Sequence, residues 1–124
     1  MRNFHMIAWN NERGTTTVEF AIVAPVFMAL VVGMLFLCLA LFLIGSLHFA
    51  VEEGARCASV RTTVCKDATT IVSHTKSRYF GPSSPTFTYA AAACGNSVSG
   101  SINYVVQLGL KQVTIPVTAT ACFP

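Results

Sequence analysis

The sequence has few charged residues. Of its 124 residues, 8 are Lys or Arg and 5 are Asp or Glu, which together make up 10% of the chain. A soluble domain carries about 25% charged residues. The 8 basic residues are scattered and form no patch. This composition excludes an ordinary soluble domain, and the missing basic patch argues against nucleic-acid binding.

Residues that carry out catalysis or bind metals are also scarce. The three histidines, His5, His48 and His74, lie far apart in the chain. No CxxC pair occurs, so the usual ligand hairpins of structural zinc sites are missing. No glycine-rich phosphate loop follows a predicted strand, and the serines lack the strand-to-helix turn that a nucleophile needs. We therefore expect no enzymatic activity, no metal and no cofactor.

One long apolar run fills the first half of the chain. From Phe20 to Val51 there is no charged residue, and only Ser46 and His48 are clearly polar. A membrane span needs roughly 20 apolar residues, so the run predicts a transmembrane helix. As a helix it would extend about 48 Å and exceed the hydrocarbon core, so its outer end tilts or protrudes. A removable secretory signal, with an apolar core of about 7–15 residues, is excluded by this length.

The residues that flank the run predict the orientation of the chain. Arg2 and Arg13 precede it, whereas Glu52 and Glu53 follow it directly. The positive-inside rule then puts the N-terminus in the cytoplasm and the C-terminal part outside. Four of the five cysteines lie after the run, in the part that would meet an oxidising compartment, and an even number there predicts two disulfides.

Two residues at the start of the run, Gly14 and Glu19, need an explanation. Glu19 immediately precedes the apolar stretch, where a carboxylate is unusual unless it has a partner. Gly14 lies five positions before it, between Arg13 and a run of threonines. Taken singly, Glu19 could be an interfacial charge that marks the end of the span, and Gly14 could be a loop or cap glycine. Their spacing ahead of a long apolar helix is the more specific feature.

The motif RGTTTVEFAIVAP at residues 13–25 resembles the processing site of type IV pilin-like proteins, and in particular TadE-like pseudopilins of Flp/Tad pilus systems. The stretch VEEGARCA at residues 51–58 resembles the signature of those proteins just beyond the membrane. The resemblance implies that a prepilin peptidase cuts after Gly14, that the mature chain begins at Thr15, and that Glu19 is its fifth residue. It also implies a bacterial inner-membrane location, with other pilin-like subunits and the pilus assembly platform as partners.

The chemistry of this motif agrees with a role in assembly. Cleavage would free a positively charged α-amino group at Thr15. Glu19 lies four residues later on the same helical face, so it can pair with its own terminus or with that of a neighbouring subunit. Pro25 removes one backbone hydrogen bond from the helix and predicts a kink there.

Small residues recur at every fourth position near the outer end of the helix. They form one ridge, called here the small-residue ridge, made of Ser46, Ala50, Gly54 and Ala58. Such a ridge permits close approach of another element. Packing against the chain's own domain and contact with another subunit are both open at this point.

The remainder of the chain predicts a small α+β domain. Asp67 can cap a short second helix over residues 68–78, and the period then changes to two, which indicates about three antiparallel strands with one face buried along their length. Pro116 favours an edge position for the last strand, or a bulge at that residue. The overall expectation is a leader at residues 1–14, a transmembrane and protruding helix at residues 15–61, and a secreted disulfide-stabilised domain at residues 62–124.

The strand pattern also predicts the disulfide pairing. Cys94 precedes one strand and Cys122 ends the next, so the two should meet at the open end of an antiparallel hairpin. Cys57 is then left with Cys65. Within one continuous helix these would be about 12 Å apart, beyond the roughly 7 Å that a disulfide spans. The pairing therefore requires the helix to end between them.

Two classes of function follow. The first is a pilin-like subunit that is processed and acts by helix-to-helix assembly, as a minor component or primer of an adhesive pilus. The second is an unprocessed single-pass accessory protein whose secreted domain binds an envelope partner. Cleavage after Gly14 distinguishes the two, because only the first requires it.

Overall fold

The fold is α+β, with two helices followed by one antiparallel sheet. The computed structural model describes residues 12–124, with side chains from Thr16 onward except that of Leu108. The elements are α1 (Glu12–Val60), α2 (Ala68–Ser77), β1 (Thr86–Ala92), β2 (Gly95–Leu108) and β3 (Lys111–Phe123). This arrangement confirms the predicted fold class.

The described chain divides into two compact units, one ending at Leu37 and the other comprising Cys38–Pro124. The division falls inside α1, whereas the sequence suggests a boundary after Arg61. The reason is that the outer part of α1 supplies much of the domain core, including the fully buried Leu47, Ala50 and Val51. The unit Cys38–Pro124, called here the outer unit, is thus built around the C-terminal part of α1.

α2 begins at a capping box, as Asp67 predicts. The Thr70 amide donates to Asp67 Oδ1 over 2.8 Å, and the Asp67 amide donates to Thr70 Oγ1 over 3.1 Å. These reciprocal bonds satisfy two donors that the first turn would otherwise leave free. The hydrogen bond from the Thr70 amide also lowers the pKa of Asp67 below the ordinary range of an aspartate. The helix ends at Ser77, one residue before the predicted end.

The three strands form an antiparallel sheet in the order β1-β2-β3. β2 is the central strand, and its long hairpin with β3 pairs Asn96 with Phe123 at one end and Leu108 with Lys111 at the other. Gly109 turns the hairpin with a φ of 61°, a conformation that glycine adopts without steric cost. β3 is an edge strand, as Pro116 predicts.

The sheet packs on α1 only over part of its length. Its buried side chains are Phe87, Val98, Ile102 and Ala119. A Cβ at Gly100 would approach Leu47 to 3.0 Å, so β2 lies very close to α1 at this point. The predicted burial of one face along the hairpin is incomplete beyond Ile102: Tyr104 and Val106 are only half-buried, and Val113 is 37% and Ile115 47% exposed. The core ends there because, among the described residues, no helix covers the far half of the hairpin.

Candidate assembly surface and the domain that carries it

The residues of the predicted processing site lie at the start of α1. The helix passes through Gly14 and Thr15. The side chain of Thr15 lies outside the described part of the structure, as do Met1–Asn11 and hence most of the predicted leader. Glu19 is exposed, one position before the first residue of the apolar run. Its carboxylate is therefore accessible to a partner that approaches the helix from the side.

The inner part of α1 exposes apolar side chains on all sides. Between Phe20 and Leu37 every large apolar residue is exposed. One helix among the described residues, spanning Thr16–Val60 with a mean hydropathy of 3.0 in its most apolar window, has the length and composition to cross a membrane. Exposure of this kind is stable only in lipid or against other apolar helices. The helix is thus consistent with a single-pass membrane anchor. It continues through Pro25, and a bend at that residue stays a prediction.

The small-residue ridge, by contrast, is buried within the outer unit. Ala50 is completely buried, and a Cβ added at Gly54 would overlap the side chain of Thr75 on α2. Ser46 accepts a hydrogen bond of 2.9 Å from the backbone amide of Phe80. Of the two uses that the sequence leaves open, the structure therefore has the ridge packed against the chain's own domain.

The segment at residues 51–58 divides into buried and exposed positions. Val51, Gly54, Ala55, Cys57 and Ala58 are buried, whereas Glu52 and Arg56 are exposed. The buried positions hold the sheet and α2 against α1. The charged ones border a shallow groove whose opposite wall is the end of β3, from Thr120 to Phe123.

The two disulfides are those that the sequence predicts. Cys57 pairs with Cys65, with their Cα atoms 5.9 Å apart, and Cys94 pairs with Cys122 at 6.2 Å. The first closes the reversal after α1, which ends at Val60 between the two cysteines, as that pairing requires. The second joins the β1–β2 turn to the last residues of β3. Cys38 is an exposed free thiol.

His74 lies next to the first disulfide. One side-chain donor atom from each of Cys57, Cys65 and His74 falls within 4.8 Å of the others. Thiolates bind metals, but these two sulfurs are bonded to each other. In the oxidised protein this cluster therefore serves as part of the core.

A polar network closes the outer end of the domain. Asn96 Nδ2 donates to Ser59 Oγ over 3.0 Å, and Ser59 Oγ donates to the Phe123 carbonyl over 3.1 Å. The Tyr89 hydroxyl donates to Asn96 Oδ1 over 2.6 Å, so one residue from each strand takes part. Sequence reasoning missed this network, because three polar residues so far apart in the chain carry no local pattern.

Comparison with known proteins finds a match for one stretch of the chain, which corresponds to most of α1. Residues 14–56 match the family model described as TadE-like protein. The match begins at Gly14 and confirms the predicted resemblance over what is called here the TadE-like segment, residues 14–56. No curated protein and no solved structure matches the chain.

The TadE-like segment corresponds to α1 almost from end to end. It takes in Glu19, the apolar run and most of the small-residue ridge, and it stops one residue before Cys57. Both disulfides, α2 and the sheet therefore lie beyond the matched residues. The segment contributes the exposed apolar helix and one wall of the domain core, and the remaining walls come from the unmatched part of the chain.

Proposed function

We propose that this protein is a minor pilin-like subunit, a pseudopilin, that assembles or primes a Flp/Tad-type adhesive pilus. The TadE-like match supports involvement in a Flp/Tad pilus system generally. The single observation that carries the finer proposal is the position of Glu19. It is exposed on α1 beside the apolar run, five residues after Gly14 at the start of the matched segment.

Processing creates the group that this carboxylate needs. A prepilin peptidase cuts after Gly14 on the cytoplasmic side and leaves a positively charged amine on Thr15. When two such helices dock in the membrane, Glu19 of one pairs with the amine of the other, and neither charge is left isolated in apolar surroundings. The partners are then the peptidase, other pilin-like subunits, the assembly platform and the membrane itself.

The proposed location is the inner membrane of a bacterium, with a cytoplasmic N-terminus and a periplasmic domain that can enter an extracellular fibre. The two disulfides support an oxidising compartment for the residues after α1. The role is non-enzymatic, since its chemistry is pairing between subunits. The second candidate, an unprocessed anchored accessory protein, is favoured by the groove between α1 and β3, whose charged border could receive an envelope partner.

Mass spectrometry of the N-terminus tests the proposal. The full chain is expressed with and without an active prepilin peptidase and extracted from the membrane. We expect a mature chain that begins at Thr15 only when the peptidase is active, and an uncut precursor for Gly14→Leu. Gly33→Leu is the matched control, because it makes the same change on α1 where a new side chain meets nothing. A native chain that keeps Met1–Gly14 with active peptidase would leave only the accessory-protein candidate.

A further inference from the structure

The far half of the β2–β3 hairpin is an apolar surface without a cover in the described structure. Beyond Ile102 the core face continues on β2 with Tyr104 and Val106, which are half-buried, and on β3 with Val113 and Ile115, which are exposed. At the turn, the side chain of Leu110 is completely exposed, and Lys111 follows it. A monomeric domain seldom leaves such a surface in water, so it indicates an interaction site.

Two contacts give the direction in which this hairpin runs. Near its open end Asn96 is hydrogen-bonded to Ser59, close to the outer end of α1. Four residues later, Gly100 lies against Leu47, which is further back along α1. β2 therefore runs antiparallel to α1, and the turn of the hairpin points toward the apolar part of the helix.

The hairpin is long enough to reach the membrane surface. Within the outer unit, α1 exposes large apolar side chains close together at Leu39, Leu41, Phe42 and Ile44, and beyond them only at Phe49 and Val60. A hydrocarbon core of about 30 Å that begins at Phe20 ends near Leu39, so we place the boundary at that level. Leu39 is about 12 Å from Leu47 along the helix axis. From Gly100 to Gly109 the strand extends about 30 Å. A hairpin inclined by as much as about 60° to α1 still advances about 15 Å along the axis, which is enough to reach this boundary.

The chemistry of the turn suits a lipid surface. Leu110 offers an apolar side chain to the acyl boundary, and Lys111 beside it can pair with a phosphate of a headgroup. No acidic residue follows Asp67 in the sequence, so nothing in the sheet would be repelled by anionic lipid. We propose that residues 109–111 dip into the outer surface of the same membrane and contact anionic phospholipid there, as a second anchor besides α1.

Fluorescence of an introduced tryptophan tests the contact. The full chain, in a Trp9→Phe background, is reconstituted in vesicles of phosphatidylcholine and phosphatidylglycerol, some of whose phosphatidylcholine is brominated on its acyl chains. The test variant is Leu110→Trp. The control is Val64→Trp, which makes the same kind of change at an exposed apolar residue between α1 and α2, at the opposite end of the domain.

We expect the emission of Trp at position 110 to be shifted to the blue and quenched by bromine, and that at position 64 to show neither effect. Lys111→Trp serves as a second reporter if the first variant fails to form both disulfides. Adding Lys111→Gln to Leu110→Trp should reduce the quenching in anionic vesicles and leave it unchanged in vesicles without phosphatidylglycerol.

Two results would overturn the proposal. In the first, position 110 is quenched no more than position 64, and the turn stays in water. In the second, position 110 is shielded but unquenched, and the shielding disappears as protein is diluted into lipid, which would mean that another copy covers the turn. Neither result touches the test of cleavage after Gly14, so the lipid contact and the proposed function can fail independently.

Discussion

At the scale of single residues, two glycines of α1 show that the structural role of a glycine depends on its position in the helix. Gly54 and Gly45 are both glycines in the outer part of α1. A side chain at Gly54 would overlap Thr75, whereas one at Gly45 would meet nothing. Thr75 itself is fully buried and returns its hydroxyl to the Ile71 carbonyl over 2.8 Å. The close approach of Thr75 on α2 to α1 therefore depends on the missing side chain at Gly54.

Gly54→Ala should destabilise the domain by about 1–3 kcal/mol, because the added methyl group overpacks a tight helix contact. Gly45→Ala is the matched control and should leave stability unchanged or raise it by up to about 1 kcal/mol, since alanine is the better helix former. Thermal unfolding of the full chain in detergent, followed by near-ultraviolet circular dichroism, measures both. Equal unfolding temperatures for the two variants would contradict the packing of α1 on α2.

At the scale of elements, the sequence predicts local structure well and the extent of the core poorly. The cap at Asp67, the edge position of β3 and the end of α1 before Cys65 follow from properties of a few neighbouring residues. The exposed half of the hairpin does not, because alternation of apolar and polar residues shows which face could be buried but not whether anything covers it. Likewise, the residues of the small-residue ridge predict close packing, but they do not show which element packs there.

The two disulfides are expected to differ in their contributions. Cys94–Cys122 closes a separation of 28 residues and Cys57–Cys65 one of 8. In the chain-entropy account, removing the first costs about 3.6 kcal/mol and removing the second about 2.5 kcal/mol. The double variants Cys94→Ser/Cys122→Ser and Cys57→Ser/Cys65→Ser, compared by denaturant unfolding, test this order. If removing Cys57–Cys65 cost more than removing Cys94–Cys122, the Cys57–Cys65 disulfide would stabilise the core by more than the loss of loop-closure entropy in the unfolded chain.

At the scale of the whole molecule, the sequence predicts an apolar membrane helix followed by a separate folded domain. The charges that flank the apolar run, the run itself and the cysteine positions all predict one membrane helix followed by a disulfide-stabilised α+β domain. What they could not predict is that the domain takes the outer part of α1 into its own core, because burial there depends on residues such as Val98 and Ala119, far along the chain. The polar network around Ser59 escaped prediction for the same reason.

Glu19→Ala tests the assembly role at this scale. The variant should insert into the membrane as well as the native chain does, because removing a carboxylate next to an apolar run lowers the cost of insertion. Its crosslinking to other pilin-like subunits and its support of pilus formation should both fall. Glu52→Ala is the matched control, because it removes an exposed carboxylate from the same helix on the other side of the apolar run. Normal crosslinking and normal pili in cells that carry Glu19→Ala would contradict the proposed pairing of Glu19 with the Thr15 amine.

The covalent links lie toward one end of the hairpin, and this has a mechanical consequence. Cys122 is bonded to the β1–β2 turn, and the adjacent Phe123 carbonyl is held by Ser59, two residues from Cys57. The hairpin is thus fixed near the end of α1, and beyond Gly100 the proposed lipid contact would be what holds its turn in place. For an arm of about 30 Å, a rotation of about 10° at the fixed end moves the turn by about 5 Å. A tilt of that size would therefore be enough to withdraw Leu110 from the acyl boundary, where an interfacial apolar group lies about 5–10 Å deep.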